Sequence, residues 1–87
     1  MKQFEYHVES VLGHCSCGYK AGDIIRSKGM NTPDTQFCGG AYIALFPIQV
    51  ALFNGARFSF EDNPKSKGKL SCPDNGSVIF RVVMIDE

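Results

Sequence analysis

The segment from Phe37 to Gly55, FCGGAYIALFPIQVALFNG, constrains the fold more than any other part of the chain. Between Ala41 and Phe53 only Gln49 is strongly polar. Ala, Leu, Ile, Phe and Tyr without an internal turn pair predict a helix. Gly39 and Gly40 propagate a helix poorly, which places its start after them, and Asn54-Gly55 supplies a C-terminal stop. Pro47 removes one backbone donor and biases Phe46 away from helical geometry. The expectation is a kink there, or two short helices with Pro47 in the first turn of the second. A surface helix ordinarily carries polar residues along one side. This one is apolar nearly all round, so it needs cover on more than one face, from a sheet or from a second subunit. Thirteen apolar-rich residues at a rise of ~1.5 Å span roughly 20 Å, short of the ~30 Å hydrocarbon core, which argues against a membrane span.

A chain of 87 residues suits a single domain, residues 1–87, with a modest margin of stability. Nine basic and nine acidic side chains cancel, which argues against a broad electrostatic footprint for nucleic acid or an anionic membrane. The opening MKQFEYHVES carries charges and His7 where a signal peptide places an apolar run, so the expected location is intracellular, in the cytoplasm. In that compartment four cysteines are expected as thiols or metal ligands rather than disulfides.

Residues 3–12 alternate, with Phe4, Tyr6 and Val8 on one side and Glu5, His7 and Glu9 on the other, which predicts a half-buried strand. Leu12 continues the inner face and Val11 falls outside it. Gly13, Gly18 and Gly22 fall within ten residues and predict an irregular turn with positive-φ positions. Ile24 to Ser27 reads as a strand and residues 28–36 as a polar loop in which Asp34 or Thr35 is placed to cap a helix near Phe37. Residues 56–60 alternate as a short strand or an extended connection, residues 61–69 read as a surface loop, and residues 70–72 as a short strand ending at the turn Pro73-Asp74-Asn75-Gly76. Ser77 to Ile85 is the clearest strand, β-branched and apolar on both faces, hence central, with the first strand as its antiparallel neighbour. The predicted architecture is α+β: an antiparallel sheet of about four strands on one proline-interrupted apolar helical segment. Its expected core joins Leu45, Phe46, Val50, Leu52 and Phe53 to Phe4, Tyr6, Phe80 and Val82.

Cys15, Cys17, Cys38 and Cys72 form the only constellation with chemical potential. Each stands at a turn or at the edge of an element. If their three junctions meet, four thiolates enclose a tetrahedral ion such as zinc, or an iron centre. The spacing is not that of a Cys-x-x-Cys knuckle, and a cysteine also serves as a small buried apolar residue. Cys38 at a helix N-terminus is placed for a lowered thiol pKa, which offers a redox reading. His14, beside Cys15, is a weaker candidate ligand or base, and His7 reads as solvated. Asp23 and Asp74 read as turn-fixing residues, and Arg81 as the cross-strand partner of Glu5 or Glu9. No phosphate loop, triad or dinucleotide fingerprint is present.

Taken together, G-x-C-x-x-G-x-x-x-G-D from Gly13 to Asp23, Cys38 leading into Ala44-Leu45-Phe46-Pro47, and the late Cys72-Pro73-Asp74 resemble a family of small uncharacterised prokaryotic proteins of about this length. The resemblance implies that Cys15, Cys38 and Cys72 belong to the shared pattern and that Cys17 is a local variation. It carries over no activity, and this chain has Cys38-Gly39 where similar proteins often read Cys-Pro. A three-cysteine site then needs His14, an aspartate or water as its fourth ligand. Three functions follow as expectations: a self-associating binding or interaction module, a cysteine-ligated zinc or iron protein, and a thiol redox enzyme working through Cys38.

Overall fold

The structure, a computed structural model, describes residues 2–13, 15, 17–73 and 77–86. Four strands and one helix follow in the order β1 (Gln3–Val11), β2 (Ile24–Lys28), α1 (Gly39–Phe53), β3 (Ser66–Ser71) and β4 (Val78–Asp86). They form an antiparallel sheet of order β2-β1-β4-β3 with α1 packed on one face, so the α+β expectation holds. β4 is central and pairs with β1, as its two apolar faces predict. Among the described residues no helix is long and apolar enough to cross a membrane.

Phe4, Tyr6 and Val8 of β1 and Val78, Phe80, Val82 and Met84 of β4 form the sheet side of the core. The helix contributes Ala41, Leu45, Gln49 and Leu52, spaced to keep one face on the sheet. Burying each large apolar side chain contributes roughly 1.5–3 kcal/mol, so this one layer is the main source of stability. Phe46, Val50 and Phe53, expected in the core, are only half-buried because a single sheet covers a single side of the helix. The opposite stripe, through Ile43 and Pro47, faces solvent, and Ile43 is 73% exposed.

Two features of α1 differ from expectation. The helix begins at Gly39, with Cys38 as the N-cap in extended conformation, so neither Asp34 nor Thr35 caps it. It also continues through Pro47 as one helix rather than as two short ones. Pro47 stands on the exposed stripe one turn after Ile43, whose carbonyl loses its intrahelical donor on the side open to water.

Gln49, the one polar residue of the segment, is fully buried. Its Oε1 accepts the Tyr6 hydroxyl, and its Nε2 donates to the Gly29 carbonyl at 2.8 Å and to Ser27 Oγ at 3.2 Å. Ser27 Oγ donates in turn to the Asn31 carbonyl at 2.9 Å. The amide therefore ties α1 to β1, to β2 and to the loop after β2. Burial, and secondarily the neighbouring Tyr42 phenol, push the Tyr6 hydroxyl pKa well up.

Bulges account for the remaining departures. Val8 pairs with Phe80 and Ser10 with Ile79, so Glu9 is an extra residue in β1 and the alternation inverts after it. Val11 consequently packs against the core, while Leu12, expected inside, lies beyond the strand and is 71% exposed. In β3 another irregularity lies between Lys67 and Leu70, with Lys69 at φ 57°. This strand starts at Ser66, within the stretch expected as loop, and residues 56–60 form no strand.

The outer face of the sheet carries a charged ladder. Arg81 reaches Glu9 at 3.2 Å, as expected of a cross-strand pair, and also Glu61 at 3.0 Å and Ser66 Oγ at 2.9 Å. Glu61 accepts the Gly68 N–H as well, at 3.1 Å. That hydrogen bond first, then Arg81, holds the Glu61 carboxyl below the usual carboxylate range. His7, expected to be merely solvated, stands 2.8 Å from Glu5, and Arg26 approaches the other oxygen of that carboxylate at 3.5 Å.

A pocket walled by four thiols

The glycine turn after β1 brings the first two cysteines to the end of the sheet. Gly13, Gly18 and Gly22 all adopt positive φ, as their clustering predicts. The Gly18 N–H donates to the Cys15 carbonyl at 3.0 Å, closing a tight turn that carries Cys15 and Cys17. Asp23 fixes the other end of the segment, accepting the Lys20 N–H at 2.9 Å. Between them Tyr19 turns inward. Its hydroxyl oxygen accepts the Cys38 N–H at 2.8 Å, so the turn is bonded directly to the start of α1.

The third and fourth cysteines come from other junctions. Cys38 is the helix N-cap residue, yet its side chain does not cap a helical N–H. Cys72 follows β3, where its N–H donates to the Val78 carbonyl at 2.9 Å. A Cβ built on Gly40 would lie 3.9 Å from Cys38 Sγ and 3.9 Å from Pro73 Cδ, so the helix start faces the segment after β3 across a glycine.

All four cysteines line one cavity of about 330 Å³. Tyr19, Gly40, Ala41, Pro73, Ser77, Val78 and Phe80 complete its described wall. Cys15, Cys38 and Cys72 are half-buried, and Cys17 is exposed at the mouth. All four are thiols rather than half-cystines. Of its aromatic walls, Tyr19 and Phe80 meet edge to face at 5.9 Å, and each also packs on Phe37, at 5.4 and 5.9 Å, which in turn meets Tyr6 at 5.3 Å. Burial raises the Tyr19 hydroxyl pKa, the Cys38 N–H works against that rise, and Cys17, Cys38 and Cys15 add to it.

The expected convergence of Cys15, Cys17, Cys38 and Cys72 is present as a shared cavity. Among the described residues, however, no group of three or more His, Cys, Asp or Glu is gathered tightly enough to hold a metal ion. His14 and Asp74 lie outside the described residues. His7 belongs to the outer-face ladder and takes no part in the pocket. Sequence reasoning missed Tyr19 as part of the site and Phe37 as the ring packed on it, although an aromatic inside the glycine turn and another beside Cys38 are visible signals. Comparison of the chain with protein-family models, with curated proteins and with solved structures gives no match.

Proposed function

We propose that this chain is a non-enzymatic binding module whose ligand seats in the thiol-walled pocket. One observation carries the reading: three junctions far apart in sequence deliver every cysteine of the chain to a single cavity. Cys15, Cys38 and Cys72 pack against the core at one edge, and with Cys17 they also line an opening whose wall is mostly apolar.

Gly40 offers a test that leaves the fold intact. It lies in the first turn of α1 and lines the cavity, where an added Cβ would meet Cys38 Sγ and Pro73 only at ordinary van der Waals distance. In Gly40→Leu the side chain fills the pocket while helix propensity improves. Alkylation of the four thiols by iodoacetamide, followed by mass spectrometry with and without a naphthalene-sulfonate dye, reads occupancy directly. Protection of Cys15, Cys38 and Cys72 by the dye, lost in Gly40→Leu, is the expected result. Equal labelling rates with and without dye in the unmodified chain would remove the pocket as a binding site.

A second observation favours self-association as part of the same module. The solvent-facing stripe of α1, with Ile43 and Pro47 exposed, is apolar without interruption by a charge. Sedimentation of the unmodified chain above monomer mass, reduced to monomer mass by Ile43→Lys, is expected. A single monomeric species at micromolar concentration would count against it.

A further inference from the structure

Resting on the pocket reading, we infer that the ligand is a small uncharged molecule with an apolar body and one hydrogen-bond acceptor, a ketone-type carbonyl, that meets the Tyr19 hydroxyl. The wall sets the body. Ala41, Val78 and Phe80 line the cavity and are themselves buried, so they form its inner side. They take apolar surface favourably, whereas a charge moved against them without a partner is costly. Cys15, Cys38 and Cys72 add polarizable sulfur surface, which suits contact with a ring. The volume of about 330 Å³ stands at the small end of the ~300–1,000 Å³ range for small-molecule sites, which fits one or two rings.

A hydrogen without an acceptor sets the polar end. The Tyr19 oxygen accepts the Cys38 N–H at 2.8 Å. A phenol also has one hydrogen to donate, and among the described residues Tyr19 donates it to none. Burial raises the hydroxyl pKa, so that hydrogen is kept at neutral pH. The bond from Cys38 fixes the oxygen, so the donor is in place before a ligand arrives. Cys17, Tyr19 and Cys38 also border a second cavity, with Gln36 and Phe37. Tyr19 therefore stands at the boundary of the thiol pocket, and a ligand with its body against Phe80 and Val78 presents its carbonyl there.

Three probes of one shape test this on the full chain: acetylnaphthalene, ethylnaphthalene and naphthoate, each titrated with amide chemical shifts as the readout. Acetylnaphthalene binds most tightly, shifting Gly40, Ala41 and Val78, and naphthoate binds at least about tenfold more weakly. Tyr19→Phe keeps the ring and removes the donor. It weakens acetylnaphthalene by about three- to tenfold and moves ethylnaphthalene by less than about twofold. The hydrocarbon is the control for the Cys38 N–H, since a distorted pocket lowers both affinities alike. Should Tyr19→Phe fail to fold, the carbonyl carbon shift of acetylnaphthalene on the unmodified chain decides. A downfield move relative to a hydrocarbon solvent is expected, and its absence overturns the inference. Equal losses for ketone and hydrocarbon, an unmoved ketone affinity, or naphthoate bound as tightly as the ketone overturn it too. Dye protection of the thiols without acetylnaphthalene binding sinks this ligand class alone, and failure of both sinks the pocket reading with it.

Discussion

Replacing Gln49 with Leu tests the account of how the apolar helix is held. The change keeps approximate volume, with a side chain one bond shorter, but removes the amide that links Tyr6, Ser27 and Gly29. Ser27 Oγ retains the Asn31 carbonyl, so two groups are orphaned: the Tyr6 hydroxyl and the Gly29 carbonyl. Each buried polar group without a partner costs about 1–3 kcal/mol. Apolar surface gained in place of the amide offsets about 1–2 kcal/mol. The net loss centres on about 2–3 kcal/mol. With a urea m-value of about 1 kcal/mol per molar for a domain of this size, the midpoint falls by about 2–3 M. Tyr6→Phe in the Gln49→Leu background removes one orphan and restores about 1–2 kcal/mol, whereas Tyr6→Phe alone destabilises. Urea unfolding of the four proteins at pH 7, followed by far-ultraviolet circular dichroism, completes the cycle. A neutral or stabilising Gln49→Leu, or strict additivity in the double variant, would refute the reasoning.

Three further outcomes follow from the outer ladder and the buried phenol. A Cβ at Gly68 would fall on the Arg81 guanidinium, so Gly68→Ala expels that side chain from Glu61 and Ser66; a Glu61 carboxyl titration by NMR should move back up toward the ordinary value, and an unmoved titration would contradict the placement. Because the Glu61 pKa is lowered on folding, its contribution is present above the unfolded-state value and disappears as pH falls through the folded-state value. Glu61→Gln should therefore flatten the acid limb of stability against pH, and an unchanged limb would argue against that pairing. The Tyr6 pKa is raised on folding, so its contribution is complete below about pH 10 and declines as pH rises above that; Tyr6→Phe should make alkaline unfolding less steep, measured by circular dichroism between pH 9 and pH 12.

The parts of this fold that were legible in advance are those set by period and composition. β4 declares itself by β-branched residues on both faces, and β1 by clean alternation as far as Val8. The helix declares itself by length and by the absence of turn residues. Departures arise where one residue changes register or one tertiary contact overrides local preference. The extra residue at Glu9 cannot be seen in β1 alone, because it exists only relative to β4. The stretch from Ser66 to Lys69 is too polar to read as a strand, yet it pairs because Arg81 and Glu61 accept its bulge. Pro47 reads as a break only if its surroundings are ignored; it stands on the exposed side of the helix, where a lost bond costs less than in the core. The cysteines were legible as residues placed at junctions. Their meeting required the topology that pairs β1 with β4 and sets the start of α1 between the glycine turn and the end of β3.

That topology has a consequence for how the chain matures. Val11 pairs with Val78, so the middle of the sheet closes a span on the order of 70 residues. A nascent chain emerging from the ribosome exposes the oily residues 39–53 before their strongest shelter, β4, has been synthesised. Folding therefore waits for the last strand. Until then the helix segment is a target for chaperones, and a ribosome stalled before Val78 would hold an aggregation-prone product.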